Sequence, residues 1–173
     1  MKQLGHYETL NKMPKVYTDC ILYLCGVSYE NLGLILRSAD IFDITTIYYY
    51  GDAGINQKQL SKISRNSKLQ IHFVDDLNVL EDLKKEGYDI VALEITDTSV
   101  PLRTVHFQNK ICLVVGNERN GVPESILDIS DYACHIEMIG GNISSLNVAI
   151  ATSIAMYEMT RCCLENEDGI TTD

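Results

Sequence analysis

ICLVVGNERNGVP, residues 111–123, joins five consecutive apolar residues to a polar turn bounded by glycines. The apolar half reads as a buried strand. Gly116 stands at its carboxyl edge, where α/β proteins place ligands because backbone can approach without a side chain in the way. Gly121 permits a positive φ, and Pro123 can start a short helix over 124–127. By itself the turn stays open between a plain loop and a ligand-binding one. It is not a familiar phosphate cradle, since G-x-x-x-x-G-K-[ST] is absent and G-x-G-x-x-G follows no strand.

Outward from this stretch, short runs rich in Ile, Val, Tyr and Leu predict further strands at 21–25, 46–50, 71–74, 90–93 and 132–136. Helical spacing falls between them at 32–42, 57–64 and 77–86, and the longest helical stretch is 145–164. Such alternation predicts an α/β fold, a parallel sheet with helices on both faces. A length of 173 residues suits one domain. The expected organisation is an N-terminal arm over 1–19, the α/β domain over 20–164 and an acidic tail over 165–173.

Composition narrows the function. No run approaches the roughly 20 apolar residues of a membrane-spanning helix, and the first residues lack the apolar centre of a secretory signal. A cytoplasmic protein without a membrane partner is expected. The six cysteines sit in apolar runs or, at Cys162 and Cys163, side by side. They read as reduced core thiols, and no C-x-x-C or histidine cluster suggests a metal. The net charge of -10 argues against a surface that attracts nucleic acid everywhere. One basic island exists, Lys58, Lys62, Arg65 and Lys68, with no acid between residues 55 and 70. On a helix the first three share a face, either a phosphate-binding one or a merely solvated one.

Two other segments carry unusual residues. Asn31 reads as a helix N-cap, and the apolar helix that follows holds Arg37. That guanidinium either snorkels and pairs with Asp40 or is held for a purpose. Farther on, residues 136–147 form a strand end, a glycine-containing loop and a helix start. Ser144 or Ser145 is the expected cap, and the free N–H groups suit an anion or oxyanion as readily as an ordinary core helix.

Together the segments N-L-G-L-I-L-R-S-A-D (31–40), G-N-E-R-N-G-V-P (116–123) and S-S-L-N-V-A-I-A (144–151) resemble the three motifs of the SpoU family, within the SPOUT superfamily of methyltransferases, in order and spacing. The resemblance covers about residues 20–160. It implies a C-terminal trefoil knot, an exception to the rule against knots, and a homodimer with active sites near the subunit interface. It implies S-adenosyl-L-methionine as cofactor, clasped by loops that map to Leu93, Gly116, Ile136 and Leu146, with Asn117, Met138 and Ser145 nearby. The positions linked with catalysis are Asn31, Arg37, Glu118, Ser145 and Asn147, and the implied reaction is methyl transfer to a ribose 2'-hydroxyl of tRNA or rRNA.

The sulfonium already activates the methyl group, so the protein mainly aligns the ribose oxygen and helps remove its proton. A guanidinium with pKa above about 12 is rarely neutral. Arg37 therefore suits stabilising the nascent alkoxide or gripping a phosphate better than acting as the base, with Glu118 orienting it, within the chain or across the dimer. Ser145 and Asn147 would position ribose or cofactor. Arg37, Lys58, Lys62, Arg65 and Lys68 are the expected RNA contacts. Departures from the family pattern are Glu137 for a proline, Ser28-Tyr29 for Asp-Pro, and residues 64–67 for Ser-Ala-Gly-Ala. The acidic charge leaves a second reading, a catalytically silent cofactor-binding partner subunit. A nicotinamide oxidoreductase lacks its glycine fingerprint.

Overall fold

The buried run at 111–115 lies in the interior of a parallel sheet in the computed structural model, which describes residues 19–51, 68–107, 110–140 and 145–168. The described strands are β1 (Asp19–Cys25), β2 (Thr46–Tyr50), β3 (Gln70–Val74), β4 (Asp89–Leu93), β5 (Val100–Pro101), β6 (Lys110–Val115) and β7 (Tyr132–His135). They form one sheet in the order β3-β2-β1-β6-β4-β7-β5, every pairing parallel. The described α-helices are α1 (Tyr29–Ile41), α2 (Asn78–Lys85), α3 (Glu124–Leu127) and α4 (Val148–Asp168).

Side chains alternate across a strand, so a continuous apolar run feeds two cores at once. Leu22, Leu24, Leu113 and Val115 pack with Leu32, Ile35 and Leu36 of α1 and with Ala155, Met156 and Met159 of α4. Ile21, Tyr23, Cys112 and Val114 face the opposite way, against Leu80 and Leu83 of α2 and Ile126 of α3. Each fully buried leucine or isoleucine contributes about 1.5–3 kcal/mol relative to exposure. Cys20, Cys25, Cys112, Cys134 and Cys162 belong to these cores. Burial pushes Cys25 and Cys134 up to about 12, which keeps them protonated rather than nucleophilic.

Several boundaries differ from the predicted ones for local reasons. Ser28, not Asn31, is the N-cap of α1, its Oγ accepting from the Asn31 backbone N–H at 3.5 Å. The helix therefore starts one turn early, and the Asn31 side chain is buried and free to reach elsewhere. Helix α4 begins at Val148, because Asn147 Oδ1 accepts from the N–H groups of Ala149 (2.9 Å) and Ile150 (3.3 Å). The cap is thus neither Ser144 nor Ser145, and the helix continues to Asp168, into the predicted tail. β5 and the 3-10 turn Leu102–Thr104 were not predicted, since two strand residues are too few to show a period. The predicted helix at 57–64, with Lys58, Lys62 and Arg65, and the arm up to residue 18 lie outside the described residues.

The strand order sets the position of the site. The chain runs outward from β1 through β2 to β3, then places β4 on the other side with β6 between β1 and β4. β7 lies between β4 and β5. In such sheets the crevice opens at the carboxyl ends where the order reverses, here those of β4, β6 and β7.

Candidate active site

Parallel register brings those ends level, with Leu93 beside Val115 on one side and Cys134 on the other. Immediately beyond β6 the chain must turn sharply. Asn117 and Gly121 exchange backbone hydrogen bonds at 3.2 and 3.0 Å, and Asn117 Oδ1 accepts from the N–H groups of Arg119 (2.9 Å) and Asn120 (2.8 Å). Both glycines are required. A Cβ on Gly116 would collide with the backbone of Gly121 and Val122, and Gly121 has φ 66° with the Glu94 carboxylate filling the place of its side chain. Glu94 fastens this turn to the end of β4, accepting from Val122 N–H at 2.9 Å and Ile95 N–H at 3.0 Å.

The turn presents Glu118 to the start of α1. Its Oε1 accepts from Ser28 Oγ at 2.7 Å and from Asn31 Nδ2. Asn31 Oδ1 in turn accepts from Asn147 Nδ2 at 3.0 Å. One chain of hydrogen bonds thus ties the three separated segments, Asn147 to Asn31 to Glu118 to Ser28. Burial works to raise the Glu118 carboxyl, but the Ser28 and Asn31 donors outweigh it and hold the group below its ordinary value.

Beside this chain a pocket of about 440 Å³ opens between the ends of β4, β6 and β7 and the start of α4. Leu93, Gly116, Asn117, Ile136, Met138, Ser145 and Leu146, the residues predicted to hold cofactor, all line it, as do Glu118 and Asn147. Sequence reasoning passed over Glu94 and His135, which also line it. Their signal was position, since each stands at the carboxyl end of a predicted strand as Gly116 does. Ser99 donates its one proton to Thr96 O at 3.0 Å, so at its 3.0 Å contact with His135 it accepts from Nδ1–H.

Arg37 is placed elsewhere. It lines a separate groove between α1 and α4 with Leu34, Ser38, Ile41, Ile150, Ile154 and Tyr157. Ile41 is 71% and Tyr157 58% exposed, so the groove is an apolar face with a guanidinium set in it. Among the described residues Arg37 pairs with neither Asp40 nor Glu118. Lys68 is exposed just before β3. Among the described residues no cluster of His, Cys, Asp and Glu could hold a metal ion, and no helix is long and apolar enough to cross a membrane.

Known proteins resemble this chain in sequence and fold. A tRNA (guanosine(18)-2'-O)-methyltransferase of Aquifex aeolicus is 35% identical over 158 residues, 89% of this chain and 73% of that protein. The Escherichia coli K12 protein of the same name is 26% identical over 134 residues, 76% of this chain and 58% of its own length. The crystal structure of the A. aeolicus TrmH/SpoU tRNA modifying enzyme superposes with a TM-score of 0.77 at 34% identity, covering 90% of this chain and 79% of that one. An AdoMet-bound rRNA methyltransferase from Sinorhizobium meliloti gives 0.74 at 25% identity, over 87% of this chain and 59% of that one. With residues 19–157 matching its family model, the chain belongs to the SpoU rRNA methylase family.

Proposed function

We propose that this chain is an S-adenosylmethionine-dependent RNA methyltransferase that acts on a ribose 2'-hydroxyl. The observation that carries the reading is the pocket joined by hydrogen bonds to Glu118, Asn31 and Asn147. Its volume lies within the range of about 300–1,000 Å³ usual for such ligands. Leu93, Val115, Ile136 and Leu146 offer apolar walls for a purine, and Asn117, Ser145 and Asn147 offer polar groups for ribose and the amino-acid end. The charged lining residues Glu94 and Glu118 are both acids, which suits a ligand bearing a sulfonium and an ammonium. These residues would hold S-adenosylmethionine, which when bound supplies an activated methyl group.

The chain's own residues do the rest. Ser28 and Asn31 fix the Glu118 carboxylate, Asn147 holds Asn31, and Ser145 and Asn147 position the ribose beside it. Arg37 stabilises charge on the attacking oxygen or grips the neighbouring phosphate. Because Arg37 sits in the apolar groove rather than in the pocket, we assign that groove to a second copy of the chain, with Arg37 serving the other copy's pocket. The exposed Leu34, Ile41, Ile150, Ile154 and Tyr157 around it support a homodimer through this face. The placement of β6 and β7 between earlier strands supports a knotted C-terminal segment. The domain is taken as 20–164, the RNA contacts as Arg37, Lys58, Lys62, Arg65 and Lys68, and the location as cytoplasmic.

The relatives' names favour catalysis over a silent partner subunit and make tRNA the first substrate to try. The test is transfer of labelled methyl from S-adenosylmethionine to purified tRNA and rRNA, with the product nucleoside identified by mass spectrometry. A 2'-O-methylated nucleoside is expected. Tight cofactor binding with no transfer to either RNA would select the silent partner instead.

A further inference from the structure

Residues 136–140 leave β7 and place Ile136 and Met138 in the pocket wall, yet they belong to no helix or strand. Backbone without a ladder is held by what its side chains grip. Glu137, between the two, reaches to Arg103: Nη2 donates to Oε1 at 2.6 Å, and Nε lies 2.5 Å from Oε2. Two parallel contacts from a planar guanidinium to a carboxylate fix direction as well as distance, which a lysine could not do.

The arginine end stands on a firm base. Arg103 belongs to the 3-10 turn Leu102–Thr104, between Pro101, in register with His135 of β7, and Val105. Leu102 and Val105 are buried in the core cluster that also holds Met156 and Met159 of α4. The Thr104 hydroxyl closes the turn on the Pro101 carbonyl at 2.8 Å. The ion pair therefore runs from a fixed platform to an irregular segment.

We propose that the Arg103–Glu137 pair is a tether that sets Ile136 and Met138 against the cofactor, making both members positioning residues for S-adenosylmethionine binding. The inference rests on the pocket reading above. It accounts for a glutamate at a position that the sequence alone left unexplained.

The test compares wild type, Arg103→Ala, Glu137→Ala, the double alanine variant and the swap Arg103→Glu with Glu137→Arg. Equilibrium dialysis with labelled S-adenosylmethionine, methyl-transfer kinetics and hydrogen exchange are measured on the full chain. Each single variant should weaken cofactor binding about three- to fivefold, the range of a partly exposed pair. KM for the cofactor should rise with kcat unchanged, the double variant should be no weaker than the singles, and the swap should recover most of the loss. Amides of 136–140 should exchange faster in the singles while the rest of the sheet keeps its protection. Additive losses in the double variant, or wild-type affinity and exchange in the singles, overturn the tether. Failure of wild type to bind S-adenosylmethionine would remove the cofactor reading, whereas the exchange at 136–140 would still show whether the tether holds that segment.

Discussion

The pocket and the groove are built on the same two helices and are opposite kinds of surface. At their N-terminal ends α1 and α4 bring in Asn31 and the capping Asn147, which bond to each other, and Asn31 bonds on to Glu118 at the edge of a concave site. One to three turns later the same helices contribute Leu34, Ile41, Ile150 and Ile154 around Arg37, on a face that nothing in the chain covers among the described residues. The pocket's polar groups are mutually bonded before any ligand arrives, which is preorganisation. The groove leaves apolar area and a cation facing outward, the kind of surface that a protein partner covers. One region suits a small molecule, and the other is the face we assign to another copy.

The largest effect expected from breaking this division is at Arg37. Arg37→Ala should lower methyl transfer about 10²–10³-fold, the scale for removing one transition-state donor, with cofactor affinity unchanged by dialysis. If Arg37 serves the other copy's pocket, mixing Arg37→Ala chains with Asn147→Ala chains should restore about a quarter to a half of the activity through mixed dimers. Mixtures no more active than either parent would place both residues in one chain's site.

Next comes Gly116→Ala, which breaks the pocket alone. Its Cβ meets backbone rather than a movable side chain, so the turn must shift at a cost of about 1–3 kcal/mol. Cofactor affinity should fall more than about tenfold, judged by the 1.4 kcal/mol per decade of binding, while sedimentation still reports the dimer. Asn31→Ala should cost a comparable amount, about 1–3 kcal/mol, because it strands one Asn147 donor and strips the Glu118 carboxylate of a partner. Thermal unfolding would register this, and an unchanged Tm would mean that water substitutes for the amide.

Ile41→Lys is the complementary probe of the groove. A second charge there should shift the oligomer toward monomer at micromolar concentration, visible by light scattering, with cofactor binding retained. The smallest effect separates the regions by pH. The Glu118 carboxyl is held below its ordinary 4.5, so the stability it contributes is present above that value and is lost as pH falls through the lowered one. The groove lining contains no carboxylate. Acid should therefore weaken cofactor binding before it dissociates the dimer, and dissociation first would reverse the comparison.

Much of the fold is local and was legible. The strand at 111–115 announces itself as an unbroken apolar run, because a strand buried on both faces must be apolar at every position, and the one at 46–50, buried at alternate positions, by its β-branched and aromatic residues. The glycines of the 116–121 turn are equally local, since the backbone there tolerates no side chain. The cap at Ser28 was misread as Asn31 because both residue types cap helices; in the fold the Ser28 hydroxyl serves both the Asn31 N–H and Glu118, while the Asn31 amide bridges Glu118 and Asn147.

What the sequence by itself determined is most of the described elements, their parallel packing and three short segments whose spacing matches a family. What only the tertiary structure decided is which side chains meet. Asn31 finds Glu118 across 87 residues and Asn147 across 116, and Arg103 finds Glu137 across 34. Periodicity reports which face of an element is buried, because burial is set by each residue's own neighbours along the strand or helix. Pairing between distant polar groups depends on strand order and register, and these emerge only when the sheet is assembled.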